Sequence, residues 1–179
     1  MVDFHRTGDD LAVDLNELEV QMLLSLTRQM VDFVGPVSAE PDDPLVAMLG
    51  IDPDAAPSDD PALLRLLPDA FVDDDEAAAE FRRFTERELR SGKAENALAV
   101  QRELEGAGIV VTRESMPAWL GFLNDARLVL GARLDLTEDN QDELEGLPDH
   151  DPRAALYGLY GWLTYVQETL VQHAMGRPW

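Results

Sequence analysis

Six of the chain's 14 basic residues lie between positions 82 and 102: Arg82, Arg83, Arg87, Arg90, Lys93 and Arg102. Guanidinium groups make planar, charge-assisted hydrogen bonds with carboxylates and phosphates. Arg83, Arg87 and Arg90 recur at i, i+4 and i+7, which aligns them on one face of a helix. Such a face suits contact with phosphate or with an acidic partner. Arg82, Arg83, Arg87 and Arg90 are therefore the candidate partner-binding residues. Glu80, Glu86 and Glu88 are interleaved with them. Glu86 and Arg90 stand in the favourable order for an intrahelical pair, so the plainer outcome is a charged face paired within itself.

Acidic groups are abundant but nothing selects among them. The densest sets are Asp73-Asp74-Asp75 and Glu138, Asp139, Asp142 and Glu143. Neither matches a calcium loop, which needs Asp at alternate positions, a central Gly and a terminal Glu. Helix capping and solvation account for both. His5, His150 and His173 are not at ligand spacing. Asp149-His150-Asp151 is bracketed by Pro148 and Pro152 and reads as a helix-entry turn; a transition metal needs several such groups to converge. There is no Gly-x-Ser-x-Gly, phosphate-binding glycine loop or dinucleotide fingerprint. The expectation is a noncatalytic chain without catalytic residues, metal or cofactor. A metal-dependent enzyme remains the alternative, since folding can bring any two of the 36 acidic residues together.

These side chains sit in a chain of 179 residues with a net charge of −22. That length favours one domain over residues 1–179, able to bury roughly 70% of its unfolded surface. The charge repels nucleic acid, whose affinity comes largely from Lys and Arg neutralising phosphates. It repels anionic lipid as well and attracts a basic protein surface. With no cysteine, disulfides, thiolate nucleophiles and thiol redox switches are excluded. The N-terminus shows no basic region followed by an apolar stretch, and no apolar run reaches 18 residues. A cytoplasmic location is the expectation.

The elements that must position the side chains are mostly helical. Phe4-His5-Arg6 and Leu11-Ala12-Val13 flank the turn-rich Thr7-Gly8-Asp9-Asp10 and predict a hairpin. Asp14 is the expected cap of a helix carrying Leu15, Leu18, Met22, Leu26, Met30 and Phe33 at spacings of three and four. Gly35-Pro36 stops it. Residues 36–62 read as an acidic, proline-rich loop with one or two helical turns at 45–49. A short helix follows at 61–67. Asp73 to Glu76 start a helix expected to end at Ser91-Gly92, followed by a second from Lys93 to Glu105. Ile109-Val110-Val111 is β-branched and predicts a strand able to join the hairpin. Ser115 and Pro117 open the most apolar helix, to about Leu134. A short helix is expected within 137–148, and the last helix runs from Asp151-Pro152 to about Met175. The fold class is mostly α with a minor sheet, its helices packed around 115–134 and 151–175.

Two features of these last helices carry expectations. Ala154, Gly158 and Gly161 share a face, and glycine inside a helix costs up to about 1 kcal/mol relative to alanine. The spacing predicts tight packing on the helix from Trp119 to Leu130, with a groove for a partner or an apolar ligand as the alternative. Asp125, Arg127 and Glu168 lie in otherwise apolar helices and predict a partly buried hydrogen-bond network. The apolar stripe of the last helix is also able to serve as a homodimer face.

Three segments resemble an actinobacterial family, the domain of unknown function numbered 2017. They are Leu123-Asn124-Asp125-Ala126-Arg127-Leu128-Val129-Leu130-Gly131, the run from Tyr160-Gly161-Trp162 to Leu170-Val171, and Arg65-Leu66-Leu67-Pro68-Asp69-Ala70-Phe71 with Phe81-Arg82-Arg83. The likeness extends from the hairpin to about His173. That family includes an oxidative-stress transcriptional regulator, so the resemblance implies a regulatory role. It supplies no catalytic residues. The redox-sensing version relies on a cysteine pair that this chain lacks. The resulting expectation is a noncatalytic regulator acting through protein contacts, with a sigma factor or RNA polymerase as partner. A direct DNA-binding regulator using the basic face is the alternative, and the net charge disfavours it.

Overall fold

A computed structural model describes residues 2–35, 52 and 55–176. The helical turns expected at 45–49 lie outside the described residues. Strands β1 (Asp3–Thr7) and β2 (Asp10–Asp14) form the expected hairpin, with Asp3 opposite Asp14 and Thr7 opposite Asp10. The link is shorter than expected, because Thr7 and Asp10 are the closing pair. Gly8 carries the turn with φ of +67°, a conformation open to glycine without strain. Strand β3 (Ile109–Val111) adds antiparallel to β2, with Leu11 opposite Val111. Alternation turns Leu11, Val13 and Val111 to the buried side.

Helix α1 (Glu17–Val34) begins at Asn16 and not at Asp14. Asn16 Oδ1 accepts from the Glu19 backbone N–H at 3.0 Å, and Glu19 Oε2 accepts from the Asn16 N–H at 2.9 Å. This reciprocal pair satisfies two N–H groups that the first turn leaves open. Asp14 is instead the last residue of β2, where its carboxylate lies 3.0 Å from His5 Nε2. Helix α2 (Pro61–Leu66) is capped by Asp60.

Helix α3 (Asp75–Leu104) runs unbroken for 30 residues through Ser91-Gly92, where a break was expected. One interior glycine costs about 1 kcal/mol. Beyond it, Ala97, Val100 and Leu104 are buried, and each large apolar side chain returns roughly 1.5–3 kcal/mol. Packing outweighs the local penalty.

Helix α4 (Met116–Arg133) has Pro117 in its first turn. Ser115 precedes it without capping it. Its Oγ accepts from the Thr112 N–H and its own N–H donates to Thr112 Oγ1, both at 3.1 Å. Helix α5 (Gln141–Glu145) is short, and α6 (Pro152–Ala174) starts at Asp151, whose carboxylate accepts from the Arg153 N–H.

Helix α1 packs on α3, α3 on α4, and α4 on both α2 and α6. Helix α4 is therefore central, with Trp119, Phe122 and Leu123 essentially sealed from solvent. Leu163, Val166 and Leu170 of α6 complete this core. The glycine face of α6 does not. A Cβ added at Gly158 or Gly161 would meet nothing within 4 Å, so both point away from α4. The close approach lies elsewhere: a Cβ on Gly121 of α4 would fall 2.6 Å from Asn96 Nδ2 of α3. Among the described residues, no helix is long and apolar enough to cross a membrane.

Candidate functional site

The four candidate arginines of α3 divide into two pairs. Arg82 is buried, and its guanidinium meets Asp69 and, at 3.5 Å, Glu86 Oε2. Arg90 meets Glu86 Oε1 at 2.6 Å and donates to the Val34 carbonyl at the end of α1. The ladder Asp69–Arg82–Glu86–Arg90 thus clamps α1 and the chain before α3 onto one face of α3. Arg82 and Arg90 are held within the fold. Arg83 is exposed and Arg87 half-buried on the flank of the helix, four residues apart.

The solvent side of the same stretch also carries exposed apolar side chains. Phe81 is 46% exposed, Phe84 52%, and the preceding loop adds Phe71 at 46% and Val72 at 89%. Phe71 and Phe81 meet edge-to-face with ring centroids 6.1 Å apart. Aromatic rings are ordinarily among the most buried surface of a chain, and a group of them left wet marks a surface that meets a partner. Sequence periodicity conceals the patch, because Arg82 and Glu86 occupy the inward positions that apolar residues normally take. A second apolar concavity of about 470 Å³ lies between α1, α4 and α6, lined by Leu26, Met30, Phe33, Val129 and Leu156 with Arg133 at its rim.

The polar residues expected to form one network form two separate links. Asp125 is buried on α4 and receives Lys93 Nζ of α3 at 2.8 Å. Burial raises the Asp125 carboxyl above its ordinary value, against the opposing pull of Lys93. Arg127 turns the other way. Its Nη1 donates to Gln167 Oε1 at 2.7 Å and its Nη2 to the Tyr160 hydroxyl at 3.2 Å, which joins α4 to α6. The guanidinium carbon lies 5.1 Å from the Tyr160 ring centre, within cation–π range. Glu168 is exposed and belongs to neither link. Asp125 and Arg127 are two residues apart on a helix, so their side chains point to different neighbours. The partners Lys93 and Tyr160 were not anticipated. The one available signal was that Lys93 is the only lysine in the chain.

Capping and ion pairing absorb other acidic groups. Asp74 caps α3. Asp60 and Asp151 are held below the usual carboxylate range by hydrogen bonds from Arg133 and Arg153, respectively. His173 is buried with Nε2 3.4 Å from the Asp9 carbonyl, whereas His150 is exposed in the turn before α6. Among the described residues, no three His, Asp or Glu side chains converge as a metal site would require.

Comparison with known proteins agrees with the resemblance in the C-terminal helices. Residues 1–174 match the family described as Domain of unknown function (DUF2017). Curated relatives include the oxidative stress regulator AosR of Mycobacterium tuberculosis, 31% identical over 191 residues covering 96% of this chain and 85% of that protein. The protein of the same name in Mycobacterium bovis matches equally, and the putative oxidative stress regulator AosR of Mycobacterium leprae is 33% identical, covering 86% of this chain and 77% of that one. No solved structure matches the chain. A match over nearly the whole length, with relatives above 30% identity, places the chain in the DUF2017 family.

Proposed function

We propose that this chain is a noncatalytic cytoplasmic regulator of the oxidative-stress response that acts through protein contacts, with a sigma factor or RNA polymerase as its partner. The relatives named oxidative stress regulator support the regulatory part of this reading. The contact part rests on one observation: the wet apolar patch of Phe71, Val72, Phe81 and Phe84 beside Arg83. Covering such a patch with a protein surface removes apolar area from water at about 25 cal/mol per Å². DNA offers no comparable gain and instead demands cations. Arg82 and Arg90 already serve internal carboxylates, and the net charge is −22.

Deleting the gene and measuring transcripts after hydrogen peroxide challenge tests the regulatory part. The expected result is a set of transcripts that no longer responds and is restored by the wild-type gene. A deletion strain with an unaltered peroxide response contradicts the reading.

A further inference from the structure

We propose that the pocket between α2, α4 and α6 binds a small organic carboxylate. Arg65 of α2, Asn124, Arg127 and Gly131 of α4, and Tyr160 of α6 line a space of about 200 Å³. Two arginines and no carboxylate are among its described lining residues, in a chain where acidic residues outnumber basic ones 36 to 14. Elsewhere Arg82, Arg90, Arg133 and Arg153 all meet carboxylates.

The hydrogen-bonding state of the two cations points to a ligand. Arg65 makes no side-chain hydrogen bond or ion pair among the described residues and is exposed at the pocket rim. Among the described residues, Arg127 is bonded to the neutral partners Gln167 and Tyr160 and to no carboxylate. Nη1 and Nη2 each use one of their two N–H groups in these bonds. A guanidinium has five N–H donors, and two are used here.

The rest of the lining selects the ligand's body. Leu128, Ala132, Leu136 and the Tyr160 ring give the pocket apolar walls. A cavity of about 150 Å³ accepts benzene, so this space accommodates a ring-sized apolar group. A carboxylate held by Arg65 and Arg127, with an apolar body against Leu128 and Leu136, satisfies both parts. This site is independent of the aromatic patch on α3.

The test is a two-dimensional amide NMR titration of the full chain with sodium benzoate at constant ionic strength. Benzyl alcohol and inorganic phosphate serve as the uncharged and the purely anionic comparisons. Saturable shifts centred on Asn124, Gly131 and Tyr160 are expected with benzoate. Binding should weaken at least about tenfold, or about 1.4 kcal/mol, in Arg65→Ala. Because Arg65 is exposed, that variant retains the fold, and its unliganded spectrum verifies this. Arg127→Lys, which keeps the charge but loses the planar fork, should weaken binding while phosphate and benzyl alcohol bind more weakly than benzoate throughout. Benzyl alcohol or phosphate binding as tightly as benzoate, an Arg65→Ala variant with undiminished affinity, or no saturable shift at millimolar benzoate would each overturn the proposal.

Discussion

Lys93 sets its ammonium 2.8 Å from Asp125 and ties the middle of α3 to the central helix α4. The two groups are 17% and 6% exposed, so the pair is largely withdrawn from water. It lies immediately after Ser91-Gly92, where local propensity favours ending the helix. Removing charges from water offsets much of their mutual attraction. The raised Asp125 value indicates that burial is the larger effect.

A pH dependence follows. The folded chain holds the Asp125 proton to higher pH than the unfolded chain, whose carboxyl titrates near 3.8. The stabilisation from this group is complete below that pH and declines as pH rises through the raised folded value. Asp125→Asn removes the titration. Urea unfolding of both forms from acid towards neutral pH should show the stability difference moving in favour of Asn as pH rises. Movement in the opposite direction would mean that Lys93 outweighs burial.

The ion-pair ladder on α3 should be far more sensitive than exposed pairs. Glu86→Ala leaves Arg82 and Arg90 without their shared carboxylate, at an expected loss of about 3 kcal/mol. Glu143→Ala breaks a pair whose members are 65% and 47% exposed, and should change stability by less than about 1 kcal/mol. Equal losses in chemical denaturation would refute the distinction.

Glycines of two kinds are predicted to respond with opposite signs. Gly158 and Gly161 face open space on α6, so alanine at either position should stabilise by about 0.5–1 kcal/mol. Gly35 has φ of +72° and ψ of 170°, a region nearly confined to glycine, and alanine there should destabilise by about 1–3 kcal/mol. Thermal unfolding of the three variants checks the signs.

Arg127→Ala removes the link from α4 to Gln167 and Tyr160. A loss of about 1–2 kcal/mol is expected, because charged hydrogen bonds contribute more than neutral ones. An unchanged melting curve would show that apolar packing alone fixes the two helices.

Much of the fold was legible from periodicity and punctuation. Phe4-His5-Arg6, Leu11-Ala12-Val13 and the β-branched run at 109–111 marked the three strands. The spacing of Trp119, Phe122, Leu123, Ala126 and Leu130 marked the central helix. Boundaries were harder where packing overrides local preference, as at Gly92, or where capping requires reciprocal geometry, as at Asn16. The candidate site was less legible for a related reason. Helical spacing groups residues on a face but does not say which face turns inward. Arg82 and Glu86 take inward positions on α3 and push Phe81 and Phe84 to solvent, while Gly158 and Gly161 turn outward on α6. Long side chains such as Lys93 and Arg127 also reach partners more than 30 residues away, and those pairings depend on how the helices are rotated.

The aromatic patch on α3 is tested most directly by affinity capture of the tagged chain from peroxide-treated host cells. Wild type would be compared with a Val72→Asp/Phe84→Asp double variant whose folding is verified by circular dichroism. Recovery of a sigma factor or RNA polymerase subunits with wild type, and their loss with the folded double variant, is the predicted result. Equal recovery with both proteins, or no transcription component with wild type, would contradict the proposed contact surface and partner.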